Sequence, residues 1–451
     1  MSLLKKLPYI IEKSENGYRS LMEESSDNSL TLVERVGNES ENILANSENS
    51  RFMKYLIDKK GMSGKFDFIY IDPPFYSNSD YGTNIKIDSE KMGSSHLIKQ
   101  HSYHDTWENG MEEYLVMLTT RFMMMKDLLS DTGSFVIHLD WHVVHYVKII
   151  LDEIFGEKNF INEIIWQYKS GGVSKRYFAK KHDNLLLYAK SGKYYFEAQK
   201  EKSYNRGFKP YRFKGVKEYK DDLGWYTMVS MKDIFTIDMV GRTSGERTGY
   251  ATQKPEALME RLLLSCTKEG DLVGDFFSGS STLAASCENL KRKWICCDMG
   301  KSAIMKSIPR LYKLGSSFDH LEDEKLTYIF KNDLIIESNI VEEFGNDKIE
   351  LEIQLIKYIY ENFDSIPIDD KYMKQLMDIA ENDSTKLIDY FSIDYSYDGN
   401  IFSPDIFIAR EKGNLDKTVT GLVNRGNTIA IRAVDVFGNS VLKVIELGGL
   451  N

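Results

Sequence analysis

Residues 66–75 read Phe66-Asp67-Phe68-Ile69-Tyr70-Ile71-Asp72-Pro73-Pro74-Phe75, an apolar run that stops at an acid and two prolines. Such a run suits a strand buried on both faces of a parallel sheet. Pro73 and Pro74 lack the amide that a ladder requires, so Asp72 falls at the strand's carboxyl end. In open α/β sheets that edge is where ligands bind. It offers a carboxylate, carbonyls held in one direction by proline rings, and the plane of Phe75. An exocyclic amine on a planar base suits that trio. The carboxylate and one proline carbonyl would accept its two N–H bonds while Phe75 would stack on the ring. Alone, the tetrapeptide reads equally well as a solvent-facing turn, and a second stretch decides the matter.

That stretch is Asp271-Leu272-Val273-Gly274-Asp275-Phe276-Phe277-Ser278-Gly279-Ser280-Ser281-Thr282, again an apolar strand breaking into small residues. Leu283 to Leu290 is helix-compatible, and Lys293-Trp294-Ile295-Cys296-Cys297-Asp298 is a further apolar strand ending in an acid. The small-residue loop lets a nucleotide-like ligand approach the backbone, and the acid on the next strand suits ribose hydroxyls. Neither G-x-G-x-x-G nor G-x-x-x-x-G-K-[ST] is present, so a ribose-bearing cofactor without a pyrophosphate fits better.

Together these segments resemble the amino-methylating DNA methyltransferases of the permuted β-class, including type III modification subunits, over residues 40–315. Asp72-Pro73-Pro74-Phe75 is similar to that family's catalytic tetrapeptide. Asp275 to Thr282 resembles its cofactor loop, and Thr252-Gln253-Lys254-Pro255 the motif leading into the cofactor helix. The resemblance implies a doubly wound, seven-stranded α/β core using S-adenosylmethionine, with adenine N6 of a flipped DNA base as the target. Asp72, Pro73, Pro74 and Phe75 would then be catalytic. Asp275, Phe276, Phe277, Ser278, Gly279, Ser281, Thr282, Asp298, Lys254 and Thr252 would hold the cofactor. Ser281 stands where the family usually carries a second glycine, and Phe75 where tyrosine is commoner. Cytosine N4 is the alternative target, although Asp72 favours adenine; a silent DNA-binding subunit is the alternative from another class. Duplex DNA is the expected partner, with a separate restriction subunit and a homodimer left open.

The expected order is an N-terminal extension (1–40), the catalytic half of the core (41–166), a target-recognition insert (167–249), the cofactor half (250–315) and an acidic domain (316–451). The net charge of −10 argues against nucleic acid until it is divided along the chain. Residues 167–220 hold 15 Lys and Arg against 4 Asp and Glu, whereas residues 316–451 hold 13 against 26. Lys175, Arg176, Lys180, Lys181 and Arg206 are therefore the expected phosphate contacts. In the acidic domain Leu351–Phe363 and Tyr372–Glu381 read as helices, Lys386–Asp398 and Asn427–Leu447 as strands, giving an α+β or β-rich unit. Residues 77–104 read as a loop over the catalytic edge. Four cysteines without C-x-x-C spacing fit a reduced, cytoplasmic setting, and no run approaches a membrane span. His138, His142 and His145 lack the partners of a metal site, so no metal is expected and His138 is read as structural.

Overall fold

The computed structural model describes residues 3–24, 29–77, 80–89, 94–104, 107, 110–169, 174–326, 332–345, 347–361, 366, 368, 370–411 and 413–447. Its centre is a sheet of ten strands: β1 (Leu30–Val36), β2 (Ile43–Asn46), β3 (Phe66–Ile71), β4 (Leu129–Leu139), β5 (Phe160–Gln167), β6 (His182–Ala189), β7 (Ile234–Thr236), β8 (Leu272–Asp275), β9 (Lys293–Asp298) and β10 (Phe318–Asp323). Their order is β1-β10-β2-β9-β8-β3-β4-β6-β5-β7. The run from β2 to β5 is the expected seven-stranded core, parallel except for β6, which is antiparallel to both β4 and β5. Strands β10 and β1 extend one edge and β7 the other.

The alternation within β3 shows why this strand lies inside. Ile69 and Ile71 pack towards α1 (Leu3–Glu23), α2 (Asn49–Asp58), α3 (Gly110–Leu128) and α4 (Val144–Phe155). Phe68 and Tyr70 pack towards α5 (Glu256–Cys266), α6 (Thr282–Leu290) and α7 (Lys301–Lys313). Each such side chain contributes about 1.5–3 kcal/mol on burial. From β8 the chain runs through α6 to β9, and from β3 through α3 to β4. The two connections leave neighbouring strands on opposite faces, which opens a crevice at their carboxyl ends. Asp72 and Asp275 both end up there.

Four expectations change. The N-terminal segment is no appendage: Leu7 and Ile10 of α1 are buried in the core, and β1 pairs with β10. Residues 80–104 contain a hairpin, Asp80–Ser89 paired antiparallel with Ser94–His104, rather than a featureless loop. The basic interval supplies β6 and β7 to the central sheet. Its separate part is a three-stranded unit of Lys200–Tyr204, Glu218–Lys220 and Trp225–Ser230. Finally, Lys348–Ile359 is a strand and not a helix, because Ile349, Leu351, Ile353 and Leu355 bury every second side chain.

That strand joins Asp333–Phe344 and Thr418–Asn424 in one sheet, which shares a core with the sheet of Ile388–Asp394, Ile406–Ala409, Thr428–Asp435 and Ser440–Glu446. Helix α8 (Asp370–Asp383) packs beside them. The unit is fastened to α7, where Tyr312 stacks on Phe407 with ring centres 4.4 Å apart. It also reaches the sheet edge, where Arg432 meets Glu34 at 3.3 Å and Glu322 at 2.7 Å. No helix among the described residues is long and apolar enough to cross a membrane.

Candidate active site

The crevice between β3 and β8 is a cavity of about 470 Å³, lined by Asn49, Asp72 to Phe75, Tyr250, Thr252 to Lys254, Asp275 to Ser280, Thr282 and Asp298 to Gly300, among others. At its catalytic end the Asp72 carboxylate is unevenly served. Oδ2 is ion-paired with the Lys254 ammonium, while Oδ1 is buried without a hydrogen-bond partner among the described residues. Lys254 also lies 5.4 Å from the centre of the Phe75 ring. Tyr114 on α3 donates a 2.7 Å hydrogen bond to the Pro74 carbonyl, which pins the tetrapeptide from below. Nothing in the sequence singled out Tyr114; its α3 position simply reads as core.

The cofactor end is held more completely. Ser281 N donates to Ser278 O at 2.8 Å, closing a tight turn, and Gly279 takes φ +50. A Cβ on Gly279 would stand 3.1 Å from the Tyr250 ring, so glycine keeps that wall open. Asp298 accepts from the Gly279 and Gly300 amides, each at 2.8 Å, and burial pushes its carboxyl up to about 6 against those two bonds. Asp275 accepts from the Phe277 amide at 3.0 Å. Burial pushes Asp275 well above the usual carboxylate range, with that amide opposing and the Asp72 and Asp298 charges adding to the rise. Arg310 on α7 clasps the loop from outside, donating to Ser280 O and Thr282 Oγ1 at 3.0 Å and pairing with Glu256 at 2.5 Å. Asn49 donates to Phe276 O at 3.1 Å and its own carbonyl is held by Arg121.

Two expected cofactor residues sit differently. Lys254 sends its ammonium to Asp72 and only its carbonyl to the loop, where Thr282 Oγ1 donates at 3.2 Å. Ser281 is fully buried, takes φ 53, and turns away from the cavity to donate to Ser307 on α7 at 2.7 Å. The left-handed φ explains why glycine suits that position, and the Ser307 bond shows how serine is kept there. Thr252, Asp275, Phe276, Phe277, Ser278, Gly279, Thr282 and Asp298 all line the cavity.

The residues fit a cationic, ribose-bearing donor. Three carboxyls, Asp72, Asp275 and Asp298, face a cavity whose one lining Lys or Arg among the described residues is Lys254. The buried hydroxyls of Ser278 and Ser280 have no hydrogen-bond partner among the described residues.

The basic cations fall into two groups. Ser174–Lys181 runs directly into β6, whose Asp183 lies beside the catalytic edge; Lys175, Arg176 and Lys180 are exposed, and Lys180 covers the Trp141 ring at 3.4 Å. Tyr177 and Phe178 are exposed in the same segment. Arg206 belongs instead to the three-stranded unit, near the exposed Phe208, Tyr211 and Phe213.

Residues 66–308, more than half of the chain, match the family model N6_N4_Mtase, described as DNA methylase. Type II methyltransferase M.HpaI of Haemophilus parainfluenzae is 27% identical over 257 residues, which are 57% of this chain and 71% of that protein. Type II methyltransferase M2.DpnII of Streptococcus pneumoniae is 27% identical over 285 residues, 61% of this chain and 91% of that one. The EcoP15I Mod subunit of a type III restriction-modification enzyme from Escherichia coli is 23% identical over 168 residues, 34% of this chain but only 24% of the subunit. A doubly wound core that brings a proline-locked acid and a small-residue loop to one crevice thus coincides with the matched span, and the chain belongs to the N6_N4_Mtase family of DNA methylases.

Proposed function

We propose that the protein transfers a methyl group from S-adenosylmethionine to the N6 amine of an adenine swung out of duplex DNA. The observation that carries this reading is the single cavity joining Asp72-Pro73-Pro74-Phe75 to the Asp275–Thr282 loop. Asp298 would hold the donor's ribose hydroxyls, and Ser278 and Ser280 would offer their unpartnered hydroxyls to it. The donor supplies an electrophilic methyl group on a sulfonium. The chain's own residues do the rest. Asp72 and the Pro73 carbonyl take the two amine hydrogens, which turns the nitrogen lone pair out of the ring's conjugation. As positive charge grows on nitrogen the fixed carboxylate stabilises it. Lys254 must yield part of Asp72 for that to happen. A base inside a duplex cannot enter the crevice, so it is flipped, at a cost of a few kcal/mol. Stacking on Phe75 and contacts at the base edge offset that cost.

Adenine is favoured over cytosine by the acid at position 72, in keeping with the resemblance to adenine enzymes. The cations of 174–181 border the catalytic edge and would hold the phosphates flanking the flipped base, while the three-stranded unit with Arg206 would supply sequence recognition. Such a protein would work in the cytoplasm within a restriction-modification system; a separate nuclease subunit and a second copy of this chain are its proposed partners. The test is nucleoside mass spectrometry of duplex DNA incubated with the protein and labelled donor. Labelled N6-methyldeoxyadenosine is expected. N4-methyldeoxycytidine would move the target to cytosine, and no labelled base would sustain the silent alternative.

A further inference from the structure

Directly behind Asp72 lies a buried chain of polar groups that the methyl transfer described above does not use. His138 on β4 is fully buried; its Nε2 lies 3.2 Å from Asp183 Oδ2 and its Nδ1 lies 3.0 Å from Tyr70 Oη. Asp183 is held in turn by the Tyr168 hydroxyl, which donates to Oδ1 at 3.1 Å. The arrangement selects a tautomer. A carboxylate can only accept at Nε2, so that nitrogen carries the proton. Burial raises the Tyr70 hydroxyl well above its ordinary value, and the charges of Asp72, Asp275 and Asp183 raise it further, so Tyr70 keeps its proton and donates to Nδ1. Burial also pushes the Asp183 carboxyl up, but the His138 and Tyr168 hydrogen bonds and the Lys254 charge hold it below the usual carboxylate value. Asp183 therefore stays ionised beside a ring whose Nδ1 can accept. That Nδ1 lies 3.7 Å from Asp72 Oδ1, the carboxylate oxygen with no partner among the described residues.

We propose that His138, oriented by Asp183, is a positioning residue that relieves Asp72 of the proton shed by the methylated amine. The proposal rests on the amine-methylation reading. Once the nitrogen has gained its methyl group it carries one proton too many. The N–H bond breaks with its electron pair staying on nitrogen, and the proton goes to Asp72 Oδ1. From there it passes to His138 Nδ1 after the two atoms close the last few tenths of an ångström to hydrogen-bond distance. The Tyr70 hydroxyl rotates to accept instead of donate. The imidazolium then stands between two carboxylates, Asp72 and Asp183, with Lys254 beyond Asp72 and Asp275 beyond Tyr70. The Asp72 carboxylate is restored while the site is still closed, and the proton leaves to water when the product does.

Single-turnover methylation of duplex DNA across pH 5–9 tests this, with donor and DNA affinities and the melting temperature measured on the same samples. His138→Gln should slow the chemical step by about 10²-fold, the lower range for a lost proton acceptor, with both affinities within about threefold of wild type. Its pH–rate profile should also differ in shape from that of wild type, which a packing role alone would not produce. Asp183→Asn keeps His138 but can present an N–H to Nε2, which drives the ring proton to Nδ1; it should slow the step tenfold or more with the fold intact. Variants that keep the wild-type rate and pH profile would overturn the proposal. So would a loss that follows donor affinity, DNA affinity or melting temperature, since that is what a purely packing role gives. If wild-type protein methylates no DNA base, the amine-methylation reading fails and takes this proposal with it; if wild type methylates and both variants match it, only the relay fails.

Discussion

The two ends of the crevice are built on different principles. At the cofactor end the polar groups are tied together: Asp298 accepts from the Gly279 and Gly300 amides, Asp275 from the Phe277 amide, and Arg310 clasps the loop from α7. At the catalytic end the central carboxylate has one oxygen paired with the Lys254 ammonium and the other without a hydrogen bond among the described residues, 3.7 Å from His138 Nδ1. The first end is organised before any ligand arrives, which lowers the cost of binding. The second is left electrostatically incomplete, and on the proposed function an amine bearing developing positive charge would complete it. On the proposed function, binding and chemistry would thereby be divided between two neighbouring strands, β8 and β3.

The sharpest way to break that division is at Asp72. Asp72→Ala should cut the rate of methyl transfer by roughly 10²–10³, the usual loss when a preorganised partner of developing charge is removed; single-turnover assays read it directly, and turnover near wild type would remove Asp72 from the chemistry. Next comes Asp298. Its carboxyl titrates at about 6 in the fold against 3.8 ordinarily, because burial disfavours the charge. An acid raised in this way adds stability that is complete below the ordinary value and disappears as pH climbs through 6. At neutral pH the ligand-free protein therefore carries a penalty on the order of 3 kcal/mol at this site. Asp298→Asn should accordingly gain stability relative to wild type as pH rises from 4 to 7, in melting curves recorded without donor. A difference that stays flat with pH would mean that Asp298 is not the buried charge it is taken to be. Phe75→Ala should weaken capture of the flipped base by about 1–3 kcal/mol in binding to DNA with a mismatched target, whereas Phe75→Tyr should hardly matter. The smallest effect belongs to Ser281. Ser281→Gly relieves a left-handed backbone costing about 1 kcal/mol and loses a hydrogen bond of similar worth, so its melting temperature should barely move. Ser281→Ala keeps the strain and loses the bond, and should be the less stable of the two.

The same contrast explains what could be read from the chain. Asp72, Asp275 and Asp298 were legible because each closes an apolar strand, and a charge at such a place has few structural reasons to exist. Their sheet followed from the strand, loop and helix rhythm around them. The His138–Asp183 pair was not legible. The two residues are 45 positions apart and meet only because β4 and β6 pair antiparallel, with His138 opposite Leu185 and Leu139 opposite Asn184. Helix α1 was hidden by Pro8 and by burying few residues, Leu7, Ile10 and Ser14. Lys348–Ile359 misled because Leu351, Leu355 and Tyr358 also satisfy helical spacing; only the partners on either side, Asp333–Phe344 and Thr418–Asn424, settle it as a strand.

The most direct test of a division between a binding end and a chemical end is calorimetric titration of S-adenosylmethionine into Asp72→Ala and Asp298→Ala side by side with wild type. Asp72→Ala should bind the donor within about threefold of wild type, and Asp298→Ala should bind it at least tenfold more weakly. Equal losses in the two variants, or a larger loss at Asp72, would contradict the account.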